Sequence, residues 1–177
     1  MNWIVMDEDY LNYLRQFESR IPFSDYGSNH FKPFFGKLFS HDGITYVTAI
    51  SHKQPRHDKM KNSVDFRKVY IPGKRAGEPN QFVAVINLNY MFPIRDELIT
   101  YLQYSKIDEC RTFSSEKEKS QYIDLLRQEM ISINQMKVDE KAKKLYEIKM
   151  THPENPISMR CFDYELLEGL AKKYEKE

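Results

Sequence analysis

The sequence predicts an α+β fold in which a small, strongly bent antiparallel sheet is followed by long helices. Up to about residue 104, short runs rich in aromatic and β-branched residues alternate with turns that contain glycine or proline, as is typical of strands. After Ser105, apolar residues recur at helical spacing instead. A chain of 177 residues is most simply one domain. We therefore expect one domain over residues 1–177, with a sheet core to about 104 and a helical part from about 105 to 177.

The first twenty residues predict a strand and an amphipathic helix. Residues 2–6 are mostly apolar, which favours a short strand. Asp7 offers an N-cap side chain, and apolar residues then recur on one face, so we expect a helix from residue 8 to about 18. The segment lacks the basic start and long apolar run of a secretory signal, and two distant cysteines match no metal spacing. These features predict a cytoplasmic protein with free thiols.

The strongest local signal is a β-hairpin over residues 31–51. Two runs of strand-forming residues, 31–40 and 44–51, flank an Asp42-Gly43 pair, which suits a turn with two positive φ angles. Pro33 predicts an edge position or an exposed end for the first strand. Gly36 predicts a bulge or a sharp bend in it.

The remainder of the sheet is predicted from three shorter segments. Residues 52–62 are polar and contain Pro55, so we expect a loop there. Residues 65–72 alternate well enough for a strand. Residues 81–88 form the most apolar strand, which we expect to be central and buried on both faces. Residues 93–102 are ambiguous between helix and strand, with strand slightly favoured.

Three helices are predicted in the C-terminal half. Ser114 or Ser115 is expected to cap a long helix with an apolar stripe over residues 122–133. A second stripe runs over residues 138–148, after a break near 135–137. Two prolines make residues 151–158 a linker, and Asp163 is expected to cap a last helix whose apolar side includes Leu166 and Leu170.

Positive charge is concentrated in one third of the chain. Between His30 and Asn80 there are ten lysines and arginines against four acidic residues, giving +6, whereas the remainder of the chain carries −5. A nearly neutral protein with one strongly basic third typically presents that third to a polyanion. The plain alternative is a solvated face that binds nothing. No run approaches the ~20 apolar residues of a membrane helix, so we expect no membrane association.

Several classes of functional site have no motif in this sequence. The HExxH and paired-carboxylate patterns of hydrolytic metal sites are absent, although His52, His57 and Asp58 lie close together in the chain. The nucleophile elbow GxSxG is absent, and so are the phosphate-binding patterns GxxxxGK[ST] and GxGxxG. We therefore expect neither a metal site nor a cofactor.

The basic segment does contain the hydroxyl–histidine–lysine cluster Ser51-His52-Lys53, with Lys32 at the start of the neighbouring predicted strand. RNA can be cut without a metal when the ribose 2′-OH attacks its own phosphodiester. The protein must then position the phosphate, stabilise its added negative charge and assist protonation of the departing 5′-oxygen. Two lysines that converge on one phosphate would supply the charge, and crowding would lower a lysine pKa. Ser51 would hold a non-bridging oxygen. His52 or His57 would be an acid–base partner, although a loop histidine is more often a surface hydrogen-bonding group.

Four motifs, in this order, resemble the ToxN/AbiQ family of endoribonuclease toxins from type III toxin–antitoxin systems. They read F-K-P-F-F-G-K-L, Y-V-T-A-I-S-H-K-Q-P-R-H, M-K-N-S-V-D-F and V-I-N-L-N-Y-M-F-P-I. The resemblance covers residues 10–102 and continues more loosely through the long helices to C-F-D at residues 161–163.

The resemblance implies a compact, strongly bent sheet like the SH3-like barrel of the MazF/Kid toxins, elaborated with helices. It also implies RNA cleavage without a metal, which leaves a 2′,3′-cyclic phosphate and a 5′-hydroxyl. The implied antitoxin is a small repeat-derived pseudoknot RNA, which the toxin processes and which holds it in a closed protein–RNA heteromeric assembly. Free toxin would cut cellular and phage RNA, arrest growth and abort phage infection.

Residue by residue, the resemblance assigns the family's strand-start lysine to Lys32 and its catalytic serine and lysine to Ser51 and Lys53. The family usually reads serine-proline-lysine after a threonine, whereas this chain reads Ile-Ser-His-Lys, so a part for His52 is left open. A tyrosine upstream of the strand-start lysine also matters in relatives, and Tyr26 is the nearest candidate without a fixed spacing.

Further residues complete the predicted RNA site. The basic side chains expected to line an RNA groove are Lys37, Arg56, His57, Lys59, Lys61 and Arg67. Phe31 and Phe34 would stack on unpaired bases if exposed, although a core position is expected for at least one of them. Two alternatives to an enzyme are a non-catalytic RNA-binding module on the same sheet and a protein-interaction module that meets an acidic partner.

Overall fold

The computed structural model describes residues 1–24 and 31–175 and confirms the α+β fold. Within these ranges the strands are β1 (Asn2–Val5), β2 (Phe34–Gly36), β3 (Ser40–His41), β4 (Ile44–His52), β5 (Phe66–Ile71), β6 (Gln81–Asn87), β7 (Phe92–Arg95) and β8 (Thr100–Tyr101). The α-helices are α1 (Glu8–Arg15), α2 (Pro55–Lys59), α3 (Glu116–Gln135), α4 (Val138–Thr151) and α5 (Tyr164–Lys173). All strand pairs are antiparallel, in the order β5-β6-β4-β2-β1-β8, while β3 and β7 also pair with β4.

The sheet is organised around β4, which pairs with β2, β3, β6 and β7. Its first five residues are all buried. The prediction that residues 81–88 form the central, doubly buried strand is therefore wrong in part. β6 does lie between β5 and β4, but its first three residues are only half-buried. Length and the number of neighbours, rather than apolarity alone, make β4 the centre of the sheet.

The turn of the predicted hairpin is confirmed, but its first arm is interrupted. Asp42 and Gly43 have φ angles of 47° and 74°, as the Asp-Gly pair predicts. β2 pairs Phe35 with Thr48, and β3 pairs Ser40 with Thr45. Between these two pairs, the first arm has four residues (36–39), whereas β4 has only two (46 and 47). The first arm therefore carries two extra residues, and the irregularity predicted at Gly36 begins there.

The predicted edge position of Pro33 is wrong. β2 lies between β1 and β4, and Pro33 is buried. Pro33 directly precedes the strand, so the sheet does not require a backbone N–H from it. Its carbonyl oxygen still accepts a hydrogen bond from the Ile50 N–H at 3.2 Å.

Two other segments are shorter or more divided than predicted. The Asp7 side chain caps α1 by accepting from the Asp9 N–H at 3.0 Å, but α1 ends at Arg15 and the chain then tightens into a turn. Residues 92–102 contain two strands, β7 and β8, separated by a 3₁₀ turn at Asp96–Leu98. The preference for strand in this segment is confirmed in part.

The helical half follows the predicted capping pattern. Ser115 caps α3, and Lys137, in the left-handed region with φ 51°, separates α3 from α4 at the predicted break. Asp163 caps α5 by accepting from the Leu166 N–H at 3.1 Å. Leu166 itself is 42% exposed and Leu167 is buried, so the predicted apolar side of α5 is misplaced by one residue there.

One hydrophobic cluster joins the sheet to the helices. The indole of Trp3 on β1 donates to the Leu126 carbonyl of α3 at 2.9 Å, and α5 packs on β7. The Tyr46 hydroxyl of β4 donates to Glu168 of α5 at 2.7 Å. The single-domain assignment stays a prediction. Within the described ranges, no helix is long and apolar enough to cross a membrane.

Candidate active site

Lys32 and Ser51 meet because of the register between β2 and β4. The ladder pairs Phe34 with Ala49, and two residues further along each strand Lys32 lies opposite Ser51. The Lys32 ammonium donates to Ser51 Oγ at 3.3 Å. Two of the three residues predicted to be catalytic are therefore brought together by backbone pairing.

This pair lies in a cavity of about 600 Å³ at the end of β4. Other side chains that line it are Phe31, His52, Arg56, His57, Asn87 and Arg111. The described lining includes three cationic side chains, from Lys32, Arg56 and Arg111, and no carboxylate. A cavity of this charge attracts an anion such as a phosphate group.

Burial lowers the pKa of Lys32, because its ammonium loses hydration next to the strands. A lysine with a lowered pKa releases its proton more readily than an exposed lysine. Such a side chain suits both charge stabilisation and proton donation.

Lys53 is not among the residues that line this cavity. Its ammonium lies 2.8 Å from Asp58 Oδ1 and 5.1 Å from the centroid of the Phe82 ring. The Lys68 ammonium lies 5.0 Å from the same ring and donates to the Asp58 carbonyl oxygen at 3.0 Å. Lys53 thus forms a second basic cluster beside the Lys32–Ser51 cavity.

The expectation of a loop over residues 52–62 is wrong between Pro55 and Lys59, which form α2. Pro55 is the first residue of this helix, where its missing N–H costs nothing. This short helix brings Arg56 and His57 to the cavity and Asp58 to Lys53.

His57 is a buried residue of α2 rather than a surface loop histidine. The Gln54 N–H donates to its Nδ1 at 3.0 Å, so the neutral ring carries its proton on Nε2. The Arg56 Nε at 3.3 Å from that Nε2 is then a close contact rather than a second donor. Burial lowers the pKa of His57, and the nearby charge of Arg56 adds to this effect. The neutral ring thus holds the first turn of α2 through the Gln54 N–H.

The other predicted site residues are spread over several places. His52 is exposed and lines the cavity, as does half-buried Phe31. Phe34 is fully buried against Phe92, which confirms that one of the two phenylalanines is a core residue. Tyr26 lies outside the described residues.

The remaining predicted groove residues do not line the Lys32–Ser51 cavity. Lys37 forms an ion pair with Asp96 near the hairpin end of the sheet. Lys59 is exposed at the end of α2, and Arg67 is half-buried on β5. Lys61 lines a smaller neighbouring cavity.

Arg111 and Asn87 line the cavity but were missed from the sequence. Arg111 comes from the segment before α3, where its guanidinium lies 4.6 Å from the centroid of the Tyr122 ring and 3.3 Å from Glu118. Asn87 is the last residue of β6. Neither has a local pattern that marks it, because only the packing of α3 and β6 brings them to the site.

The described residues contain no group of three or more His, Cys, Asp or Glu side chains arranged to hold a metal ion.

Comparisons with known proteins bear on the family and the fold of this chain. A family model for the toxin ToxN of type III toxin–antitoxin systems matches residues 2–172. A comparison with curated protein sequences finds no match.

Three solved structures share the fold over nearly the whole length of both chains. AbiQ, a lactococcal anti-phage endoribonuclease of the type III class, is 17% identical with a TM-score of 0.76 and covers 99% of this chain and 98% of its own. A toxin studied for its selective inhibition by a non-coding RNA pseudoknot is 21% identical, covers 100% of both chains and has a TM-score of 0.73. A structure from work on a processed non-coding RNA that regulates a bacterial antiviral system is 18% identical, with 99% and 100% coverage and a TM-score of 0.73.

The family model spans nearly the whole chain, and the strand-start lysine and strand-end serine that the sequence motifs suggest meet in one cavity. This chain belongs to the ToxN family of type III toxin–antitoxin toxins.

Proposed function

We propose that this toxin is a metal-independent endoribonuclease that cuts RNA through attack by the ribose 2′-OH. The observation that carries the proposal is the contact between Lys32 and Ser51 in a cavity whose described charged side chains are all cationic. The described lining of this cavity has no carboxylate to activate a water, and the cavity suits a phosphodiester that supplies its own nucleophile. Membership of the ToxN family and similarity to AbiQ, an endoribonuclease, support RNA as the substrate.

In the proposed reaction, the 2′-OH releases its proton to solvent water, its oxygen forms a bond to the adjacent phosphorus, and the bond from phosphorus to the 5′-oxygen breaks. The products are a 2′,3′-cyclic phosphate and a 5′-hydroxyl. Ser51 donates a hydrogen bond to a non-bridging oxygen, and Arg56 and Arg111 offset the added negative charge. Lys32, whose pKa is lowered by burial, transfers its proton to the departing 5′-oxygen. Solvent returns a proton to Lys32 after the 5′-hydroxyl has left.

Lys53 contributes from the neighbouring cluster when RNA is bound. Its ion pair with Asp58 is solvent-exposed, with side chains 37% and 53% exposed, so the pair is weak and easily exchanged. A phosphate group of the substrate then replaces the Asp58 carboxylate as the partner of Lys53. This role makes Lys53 a phosphate ligand and leaves proton transfer to Lys32.

The proposed partner is a small pseudoknot RNA, processed from a repeat precursor by the toxin and held with it in a closed protein–RNA assembly. The relatives' reported inhibition by an RNA pseudoknot and regulation by a processed RNA support this proposal. Released toxin cuts cellular and phage RNA in the cytoplasm, which arrests growth and aborts infection. The two free thiols, Cys110 and Cys161, suit that reducing compartment.

The test is cleavage of defined single-stranded RNAs in excess EDTA, with analysis of the product ends. We compare wild type with Lys32→Ala, Ser51→Ala and Lys53→Ala, and with Lys144→Ala as a matched control on an exposed face of α4. We expect cyclic phosphate ends from wild type and from the control. Loss of cutting with RNA binding retained is expected for Lys32→Ala and Ser51→Ala.

The alternatives give different results in the same assay. A non-catalytic RNA-binding module would bind RNA and leave it intact, with or without added metal. A module for an acidic protein partner would bind RNA only weakly and would leave it intact. Cleavage that requires a metal, or that leaves a 5′-phosphate, would refute the 2′-OH mechanism.

A further inference from the structure

Two smaller cavities continue the opening that holds Lys32 and Ser51. They measure about 330 Å³ and about 420 Å³. The first shares Lys32, Ser51 and Arg56 with the main cavity, the second shares Tyr90 with the first, and Asn87 lines all three. The three cavities therefore form one groove with Asn87 at its junction. An RNA strand whose phosphate lies at Lys32 must place its neighbouring nucleotides along this groove.

Tyr90 supplies an aromatic floor in both smaller cavities. Its ring is 39% exposed, and it stacks on the buried ring of Phe162 with centroids 5.4 Å apart and planes at 29°. The Arg20 guanidinium also lies 5.1 Å from the centroid of Phe162. The Phe162 N–H donates to the Asn89 carbonyl oxygen at 3.2 Å, which ties this stack to the turn that follows β6. Tyr90 is thus an exposed ring whose orientation is fixed from beneath.

The Asn87 carboxamide supplies hydrogen-bonding groups at the same place. In the described part of the chain it has no hydrogen-bond partner, whereas the Asn89 side chain is occupied with the Arg160 carbonyl oxygen at 3.4 Å. A carboxamide offers both a donor and an acceptor, which matches the edge of a nucleobase. Lys61, Arg160 and Asp65 line the second small cavity. Asp65 pairs with Arg160 at 2.7 Å, so the positive charge of this rim comes from Lys61.

We propose that Tyr90 and Asn87 form a subsite for an unpaired base next to the scissile phosphate. The base stacks on the Tyr90 ring, and its edge pairs with the Asn87 carboxamide. An aromatic floor with a cationic rim is the arrangement by which proteins hold single-stranded nucleic acid. The location next to the scissile phosphate rests on the proposed function, because it takes the Lys32–Ser51 pair as the cleavage site.

The first measurement is independent of cleavage. A 2′-deoxy oligonucleotide that lacks the attacking hydroxyl carries the fluorescent base 2-aminopurine, one position at a time. Stacking on Tyr90 is expected to quench the probe at one position in wild type. Tyr90→Leu keeps an apolar side chain on Phe162 but removes the aromatic face, and it should abolish the quenching and weaken binding about 10- to 100-fold. Tyr90→Phe should behave like wild type.

Matched variants separate local stacking from general damage. Tyr101→Ala removes an exposed tyrosine of β8, which lines none of the three cavities, and should leave quenching unchanged. Asn87→Ala should keep the quenching but reduce the preference among the four bases at that position. Thermal unfolding of each variant checks that the fold is retained.

The second measurement is cleavage of RNA with an abasic nucleotide at the quenched position. For wild type, removal of the base should lower kcat/KM about 10- to 100-fold, whereas for Tyr90→Leu it should have almost no further effect. Suppose that wild type cuts RNA and that Tyr90→Leu matches it in RNA binding, probe quenching and cleavage. The base subsite is then refuted, while the ribonuclease proposal is retained. If Tyr90 quenches the probe in wild type but wild type never cuts RNA, the base subsite is retained and the ribonuclease proposal is refuted. Absence of both signals refutes both.

Discussion

Replacing Asp58 with asparagine should make this toxin more active. The Asp58 carboxylate lies 2.8 Å from the Lys53 ammonium, and in the proposed mechanism it competes with substrate phosphate for that ammonium. Because the two side chains are 37% and 53% exposed, their pair is worth about 0.2–1 kcal/mol. Removing this competition should raise kcat/KM by about 1.5- to 5-fold, since about 1.4 kcal/mol corresponds to a factor of ten. The Lys68 contact should persist, because it is made to the backbone carbonyl oxygen of residue 58.

The assay is steady-state cleavage of a short RNA at several salt concentrations. The gain should be largest at low salt, because an exposed pair is screened as ionic strength rises. Asp124→Asn is the matched control, since Asp124 is 58% exposed and is paired with Arg127 at 3.3 Å on α3, away from the groove. That variant should leave kcat/KM unchanged. A tenfold or larger loss in folded Asp58→Asn would show instead that Asp58 orients Lys53 for the reaction, and would refute the exchange of partners.

Three further changes test the site and the core. Lys32→Met should lower cleavage at least 100-fold while keeping or raising the melting temperature at pH 7, because burial lowers the Lys32 pKa and so disfavours the charged form in the folded state. The gain in melting temperature of Lys32→Met should shrink as the pH rises towards 10. A large loss of stability in Lys32→Met at pH 7 would contradict this reasoning. Burial raises the pKa of Glu129 on α3 to about 8, so wild type should lose about 2–3 kcal/mol of stability from this group between pH 5 and pH 7. Glu129→Gln should remove that slope in denaturant unfolding, and parallel slopes for the two proteins would refute it. Gly36→Ala should destabilise the fold by about 1–3 kcal/mol, because its Cβ would lie 2.8 Å from Val47 Cγ1, and an unchanged unfolding midpoint would contradict this crowding.

Features fixed by local chemistry were predicted well from the sequence. The Asp42-Gly43 turn follows from the backbone angles that these two residues tolerate, and the caps at Asp7 and Asp163 follow from their short carboxylates. The break between α3 and α4 was also placed correctly. Pro55 was wrongly predicted to lie in a loop because proline has two opposite structural roles. It interrupts a helix when it lies in the interior, but it is favoured as the first residue of a helix.

Features fixed by packing could not be predicted from the same patterns. The resemblance to a known family identified Lys32 and Ser51, but only the ladder explains why they meet. Arg111 reaches the cavity from the helical half, and no local pattern marks it. Glu129 lies on the buried side of α3, where a charged residue is not expected, and its Oε1 has no hydrogen-bond partner among the described side chains.

The two extra residues before the hairpin turn decide which side chain Lys32 meets. If the pairing of Ser40 with Thr45 continued without interruption, Lys32 would lie opposite Lys53 rather than Ser51. A register shift of two residues keeps every side chain on the same face of the sheet, so the core would be preserved. The ammonium groups of Lys32 and Lys53 would, however, be forced together. Deleting two residues between 36 and 39 would therefore replace the Lys32–Ser51 contact with two lysines that repel each other. The contact between Lys32 and Ser51 therefore depends on an irregularity of the sheet at a distance from both residues.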